Sequence, residues 1–176
     1  MDDSPIPLAE LYAAMEAQIS AAIPGLALVT AMPGPMQRLA LPAVVIELAG
    51  WEPGPDPGTG ETGIEARFEA RVIVGSEVED ALKVAAFAGA QLTVLLRMQT
   101  WGLSIENAVF VRAEQDWTRP ELDGYAVWVV EWTQVIYLGV EEWPWPDQPA
   151  STLLWGFAPQ VGPGHEGDYT PAGELT

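Results

Sequence analysis

Leu8, Leu11, Tyr12, Met15, Ile19 and Ile23 recur at the i, i+3, i+4 spacing of one helix face, with Pro7 suited to a first helical turn and Pro24-Gly25 ending it. The spacing predicts an amphipathic helix over 7–23. A short apolar stretch, LALVTAM, follows, and Pro33-Gly34-Pro35 marks a turn. The run LPAVVIELAGW at 41–51 is β-branched and short, as a buried strand is. Over 50–63 the pattern collapses into Pro, Gly and acids, which predicts an exposed, mobile loop. From Ile64 the alternation is strict: Ile64, Ala66, Phe68, Ala70 and Val72 on one face, Glu65, Arg67, Glu69 and Arg71 on the other. A half-solvated strand with same-face ion pairs at i, i+2 is expected.

Ser76 and Glu79 stand at the spacing of a capping box ahead of Val78, Leu82, Ala85, Gly89, Leu92 and Leu96, predicting a helix from 77 to about 98. Its small-residue middle, VAAFAGAQ, suits close approach to a sheet. Two strands are predicted next, at about 107–117 and 125–139, joined by the hairpin-like TRPELDG. In the second, Ala126, Trp128, Val130, Trp132, Ile136 and Leu138 share one face. Val127, Val129, Val135 and the aromatic ends of the other face are also mostly apolar, so this strand should be central and covered on each side for part of its length. Beyond Val140, Pro, Gly and acids are studded with Trp143, Trp145, Leu154, Trp155 and Phe157. A solvated tail has no use for that many aromatics, and an arm that buries them on a neighbour or on its own domain is expected. The fold class is therefore α+β. A mainly antiparallel sheet of four to five strands packs with two helices in a domain over 1–140, with an extended C-terminal arm over 141–176.

Composition narrows the chemistry. The chain has 176 residues, 25 Asp+Glu against 7 Lys+Arg, and a formal charge of -18, yet 49% of its residues are hydrophobic. That balance is globular, not disordered, and disfavours nucleic-acid binding and an anionic membrane. With no Cys and a single His, His165, thiolate and multi-histidine metal sites are excluded. The acidic start MDDSPIP does not resemble a signal peptide, and no apolar run approaches the length of a membrane span. These features describe a product assembled inside a cell.

Candidate chemistry is sparse. Glu131, between Val130 and Trp132, is the one carboxylate suited to a raised-pKa acid, but pairing with an Arg such as Arg112 is the more ordinary use. The groups Glu77/Glu79/Asp80 and Glu141/Glu142 lack calcium-loop spacing. GTGETG precedes a strand, where no helix N-terminus receives a phosphate. Neither an enzyme nor a cofactor or metal is expected. A carbohydrate-binding module that uses the tryptophans, and a small adaptor that binds through its tail, are the readings from other classes.

The order helix, strand, strand, loop, strand, long helix, strand, strand, arm resembles the tail-terminator and tail-completion (neck) proteins of tailed bacteriophages and related contractile or gene-transfer particles. The likeness is strongest over 81–139, where ALKVAAFAGAQLTVLLRMQTWGL ends in a polar-Trp-Gly turn and LDGYAVWVVEWTQVIYLG looks like a closing strand. The resemblance implies a virion protein, assembled in the host cytoplasm, that forms a homo-hexameric ring. That ring caps the tail tube, stops its polymerisation, meets a head-tail connector or sheath protein and lets DNA pass without specific binding. A head-tail connector or head-completion subunit is the alternative within the same neck. In such a ring Trp143, Trp145, Leu154, Trp155 and Phe157 would be interface anchors. Glu52, Asp56 and Glu61 would supply lumen or rim charge.

Overall fold

A computed structural model describes residues 8–32, 39–119, 122–142 and 154–171. The chain divides into two compact units, Met1–Trp143 and Pro144–Thr176.

In the first unit, α1 (Leu8–Ala22) falls within a residue of its predicted ends and buries Leu11, Met15 and Ile19. The strands β1 (Leu28–Ala31) and β2 (Ala43–Pro53) pair in parallel. Strand β3 (Thr62–Gly75) lies antiparallel to β2 and to β5 (Tyr125–Leu138), and β4 (Val109–Gln115) closes the far side antiparallel to β5. Helix α2 (Ala81–Leu95) connects β3 to β4. The sheet order β1-β2-β3-β5-β4 makes an α+β fold in which only the β1–β2 pair is parallel.

The alternation of β3 decides the layers. Ile64, Ala66, Phe68, Ala70, Val72 and Val74 are all buried on the face that receives both helices. Phe68 stacks on Trp132 with ring centroids 5.5 Å apart and meets Tyr12 of α1 edge-on at 6.3 Å, geometries worth about 0.5–1.5 kcal/mol each beyond the buried area. Close packing of α2 depends on Gly89, where a Cβ would lie 2.5 Å from Cδ1 of Trp128. Among the described residues, apolar packing on the opposite face of the sheet gathers at one end, where Val45, Ile73 and Val127 are buried with Leu39, Leu41 and Leu122 packed against them. Strand β5 is thus interior and covered on both sides for part of its length.

Three expectations are corrected. The loop placed at 50–63 narrows to 54–61, because β2 and β3 remain paired as far as Pro53 and Ile64. Pro53 is tolerated there because β1 pairs with β2 only over Ala43–Ile46, leaving the rest of β2 an edge whose missing N–H costs nothing. The capping box does not form. Residues 76–80 are turns closed by backbone bonds from Val78 to Gly75 and from Ala81 to Val78, and α2 begins after Asp80, which has φ 56° and makes no side-chain cap. The helix consequently starts four residues later than predicted and ends at Leu95. Val78 and Leu82, assigned to its core stripe, are exposed.

In the second unit, β6 (Leu154–Trp155) pairs antiparallel with β7 (Thr170–Pro171). The chain between them folds back on itself: the Tyr169 hydroxyl accepts the Gly162 amide at 2.9 Å, and its ring lies against Gly156, where a Cβ would come within 2.7 Å. Nδ1 of His165 sits 2.9 Å from the Asp168 carboxylate.

Candidate assembly interface

The three predicted rim acids lie together on the β2–β3 hairpin. Glu52 is opposite Glu65 across the ladder, both exposed. Asp56 accepts the Gly58 amide at 2.8 Å, a short Asx-type turn that shapes the tip, and Glu61 accepts the Thr59 hydroxyl at 2.8 Å. The Glu142 amide donates to the Thr59 carbonyl at 2.8 Å, so the chain leaving β5 is tied to the same tip and adds further carboxylates to it. Like charges at this density are tolerated because the side chains reach solvent.

Beyond the hairpin, the open sheet face carries an ion-pair network built from residues remote in sequence. Arg71 is buried and bonds Glu47, Glu69 and Asp116 at 2.5–2.7 Å, while Arg119 reaches the same Glu47 oxygen at 2.6 Å. Burial alone would push the Asp116 carboxyl up. The Thr118 hydroxyl and amide and the Arg71 guanidinium outweigh it and hold that carboxyl below the usual range. Burial likewise works against the Arg71 charge, but the bonds to Asp116 and Glu69 overcome it and raise its pKa. Glu131 takes Arg112 at 2.6 Å and Arg67 at 3.7 Å, the pairing expected for an isolated strand carboxylate. The bond to Glu131 raises the Arg112 pKa in turn, with Glu114 as a further partner. Each carboxylate of this network thus has a guanidinium partner.

Among the described residues, three groups of exposed apolar side chains stand out beside isolated ones such as Met32, Trp51 and Val140. On α2 and the turn after it, Val84, Phe87, Gln91, Val94 and Met98 form a seam at alternating three- and four-residue spacing, with Phe87 62% and Val94 and Met98 each 75% exposed. Edge strand β4 exposes Val109, Phe110 and Val111, with Trp117 beyond its end. In the second unit Leu154, Trp155 and Phe157 are all exposed, Phe157 to 68%. The predicted anchors Trp143 and Trp145 lie outside the described residues.

The α2 seam is held in place by a buried polar contact. Trp101, at φ 58° in the turn after α2, is buried, and its indole N–H donates to Oε1 of Gln134 at 2.9 Å. The Gln134 amide donates to the carbonyls of Glu106 at 2.7 Å and Gln99 at 3.2 Å. One side chain on β5 thus fixes the α2–β4 connection, and the left-handed strain at Trp101 is carried by its burial and this bond.

Sequence reasoning missed the α2 seam because apolar residues of this helix extend beyond the stripe of Ala85, Gly89, Leu92 and Leu96 that packs on the sheet. A stripe wider than one packing face was the available signal. It also missed Gln134, a lone amide at a core position between Trp132 and Ile136, and the Arg71 partners on β2 and after β4, for which spacing gives no sign. Among the described residues no group of three or more His, Asp or Glu is placed to hold a metal ion, and no helix is long and apolar enough to cross a membrane. No protein-family model matches the sequence, and no curated protein matches it.

Proposed function

We propose that this chain is a structural subunit of a phage or phage-like tail, forming a ring that caps the tail tube, stops its polymerisation and joins it to the head-side connector. The observation that carries the reading is the coexistence, on one chain of charge -18, of separate exposed apolar surfaces on α2, β4 and the β6 segment. Exposed apolar patches are unfavourable in water, and patches of this kind are sites of association. Unlike surfaces on one protomer suit head-to-tail contacts, which close into a ring when the rotation permits. The acidic hairpin carrying Glu52, Asp56 and Glu61 suits a lumen or rim past which DNA moves without adhering, since it repels phosphate within about a Debye length of ~8 Å.

Deleting the gene and measuring tail tubes by electron microscopy tests this reading. Overlong, headless tubes are expected; tails of normal length with heads attached would overturn it. Headless tails of normal length would place the subunit on the connector side of the neck instead.

A further inference from the structure

Among the described residues, two strand edges of the sheet are left open, and they match. The Asp116 amide donates to the Val127 carbonyl at 3.1 Å, so in the alternating ladder Asp116, Glu114 and Arg112 bond β5. Gln115, Ala113 and, beyond the extra residue Val111, Phe110 therefore turn their backbone groups outward. On β2 the Gly54 amide donates to the Gly63 carbonyl at 2.9 Å, so Glu52 and Gly50 bond β3. Pro53, Trp51 and, beyond the extra residue Ala49, Leu48 turn outward. Strand β1 covers β2 only as far as Ile46. The outer side of β1 is itself occupied at Ala31, whose amide donates to the Glu16 carboxylate at 2.6 Å.

We propose that β4 of one copy pairs antiparallel with the free half of β2, residues 48–53, of the next copy, a head-to-tail contact that rests on and deepens the assembly reading. The register sets Phe110, Ala113 and Gln115 opposite Pro53, Trp51 and Leu48 of the next copy. Inside their own sheets the first three lie beside Trp132, Val130 and Trp128, and the second three beside Ile64, Ala66 and Phe68. Those partners are spaced by two throughout, so the outward positions are evenly spaced on both edges and meet one to one. Because Pro53 has no N–H, the pairs make about five backbone hydrogen bonds. Their side chains fall on the helix-bearing face, where Trp51, 61% exposed, comes to lie beside Ala113.

Charge agrees with the same register. On the other face Arg112 falls opposite Glu52 of the next copy, and Glu114 falls opposite Gly50, which brings no charge. Glu52 faces Glu65 across its own ladder, so a guanidinium on its free side relieves a like-charge pair. Arg112 serves both chains: Nε bonds Glu131 and Nη1 bonds Glu114, which leaves Nη2 without a partner among the described residues. Within one sheet β4 already runs opposite to β2, so copies repeat without turning over, as rotation about a ring axis requires. Pairing of two β4 edges would instead leave the β2 edge and Trp51 bare.

Disulfide trapping tests the register in the full-length chain, which has no cysteine of its own. Glu114→Cys and Gly50→Cys occupy a non-hydrogen-bonded pair, whose Cα atoms stand about 4.5 Å apart, within disulfide reach. A Cβ at Gly50 meets only the Arg67 guanidinium, at 3.9 Å, so the position accepts a side chain. On mild oxidation a mixture of the two single variants should cross-link at least about tenfold faster than Glu114→Cys mixed with Glu10→Cys, an exposed site on α1. Adding Arg112→Glu to the first variant should slow the reaction about threefold, and adding Glu52→Arg to the second should restore it. No excess over the Glu10→Cys control overturns the proposal, and cross-linking of Ala113→Cys alone into a dimer overturns it in favour of β4 pairing with β4. Rings that form without the cross-link would remove this contact and leave the ring reading standing; the cross-link in a protein that never forms rings would do the reverse.

Discussion

Replacing Gln134 by Leu keeps the approximate volume of a buried side chain but removes all three of its hydrogen bonds at once. The losses are unequal. The Trp101 indole N–H is left buried with no acceptor, at about 1–3 kcal/mol. The Gln99 carbonyl still accepts the Ala108 amide at 2.8 Å, and Glu106 is exposed enough for water to replace the lost donor, so these two contribute about 0.5–1 kcal/mol each. The expected destabilisation is about 3 kcal/mol, or roughly 6–12 °C in Tm for a chain of this size. Urea unfolding followed by tryptophan fluorescence would measure it, and a cycle with Trp101→Phe would locate it. If the cost runs through the indole, the double variant loses about 1–2 kcal/mol less than the sum of the singles. A Gln134→Leu protein with unchanged midpoint, or strict additivity in the cycle, would refute the role given to this side chain.

Other expectations follow from the same packing. Arg71→Met leaves Glu47, Glu69 and Asp116 facing one another without their shared buried cation and should cost about 3–5 kcal/mol at neutral pH; a loss under 1 kcal/mol would show that water already serves those carboxylates. Because the folded pKa of Asp116 is depressed, its stabilisation is complete above the unfolded value near 3.9 and lost as pH falls through the lower folded value. The stability difference between wild type and Asp116→Asn should therefore shrink from pH 5 to pH 2 in chemical denaturation series; a constant difference contradicts the shift. Gly89→Ala gains about 1 kcal/mol of helix propensity but drives a methyl into the Trp128 ring, and a net loss of about 1 kcal/mol is expected in thermal unfolding, with a gain showing that the ring moves freely.

What could be seen in the sequence was whatever depends on near neighbours. The period of two from Ile64 to Val74 fixed both faces of β3, and the helical spacing from Leu8 to Ile23 placed α1 within a residue at each end. The partial covering of β5 on both sides was legible because its two faces are both apolar over Val127–Val130. The Glu131–Arg112 pair was legible because both lie on adjoining predicted strands. Composition misled where it was read without pairing: Trp51, Glu52 and Pro53 belong to a loop-like run yet are held in a ladder by Ile64–Ala66. The box at Ser76 and Glu79 failed because backbone bonds close a turn at those residues before the helix begins, an outcome set by how β3 must hand the chain to α2.

The candidate site divides in the same way. Grouping of the acids at 52, 56 and 61 was visible from their nearness along the chain. The β4 edge and the α2 seam were not, because exposure of an apolar residue depends on which side of a mostly apolar helix faces the sheet and on which strand ends outermost. Tertiary arrangement decides that Phe87 and Val94, which lie outside the stripe of Ala85, Gly89, Leu92 and Leu96, face solvent.

The most direct measurement of the central claim is the mass of the full-length chain in solution by light scattering, from micromolar to about millimolar concentration. A closed species near six times the 19.0 kDa protomer is predicted, with negative-stain images showing rings. A 19.0 kDa particle at every concentration, with no ring in any image, would contradict it.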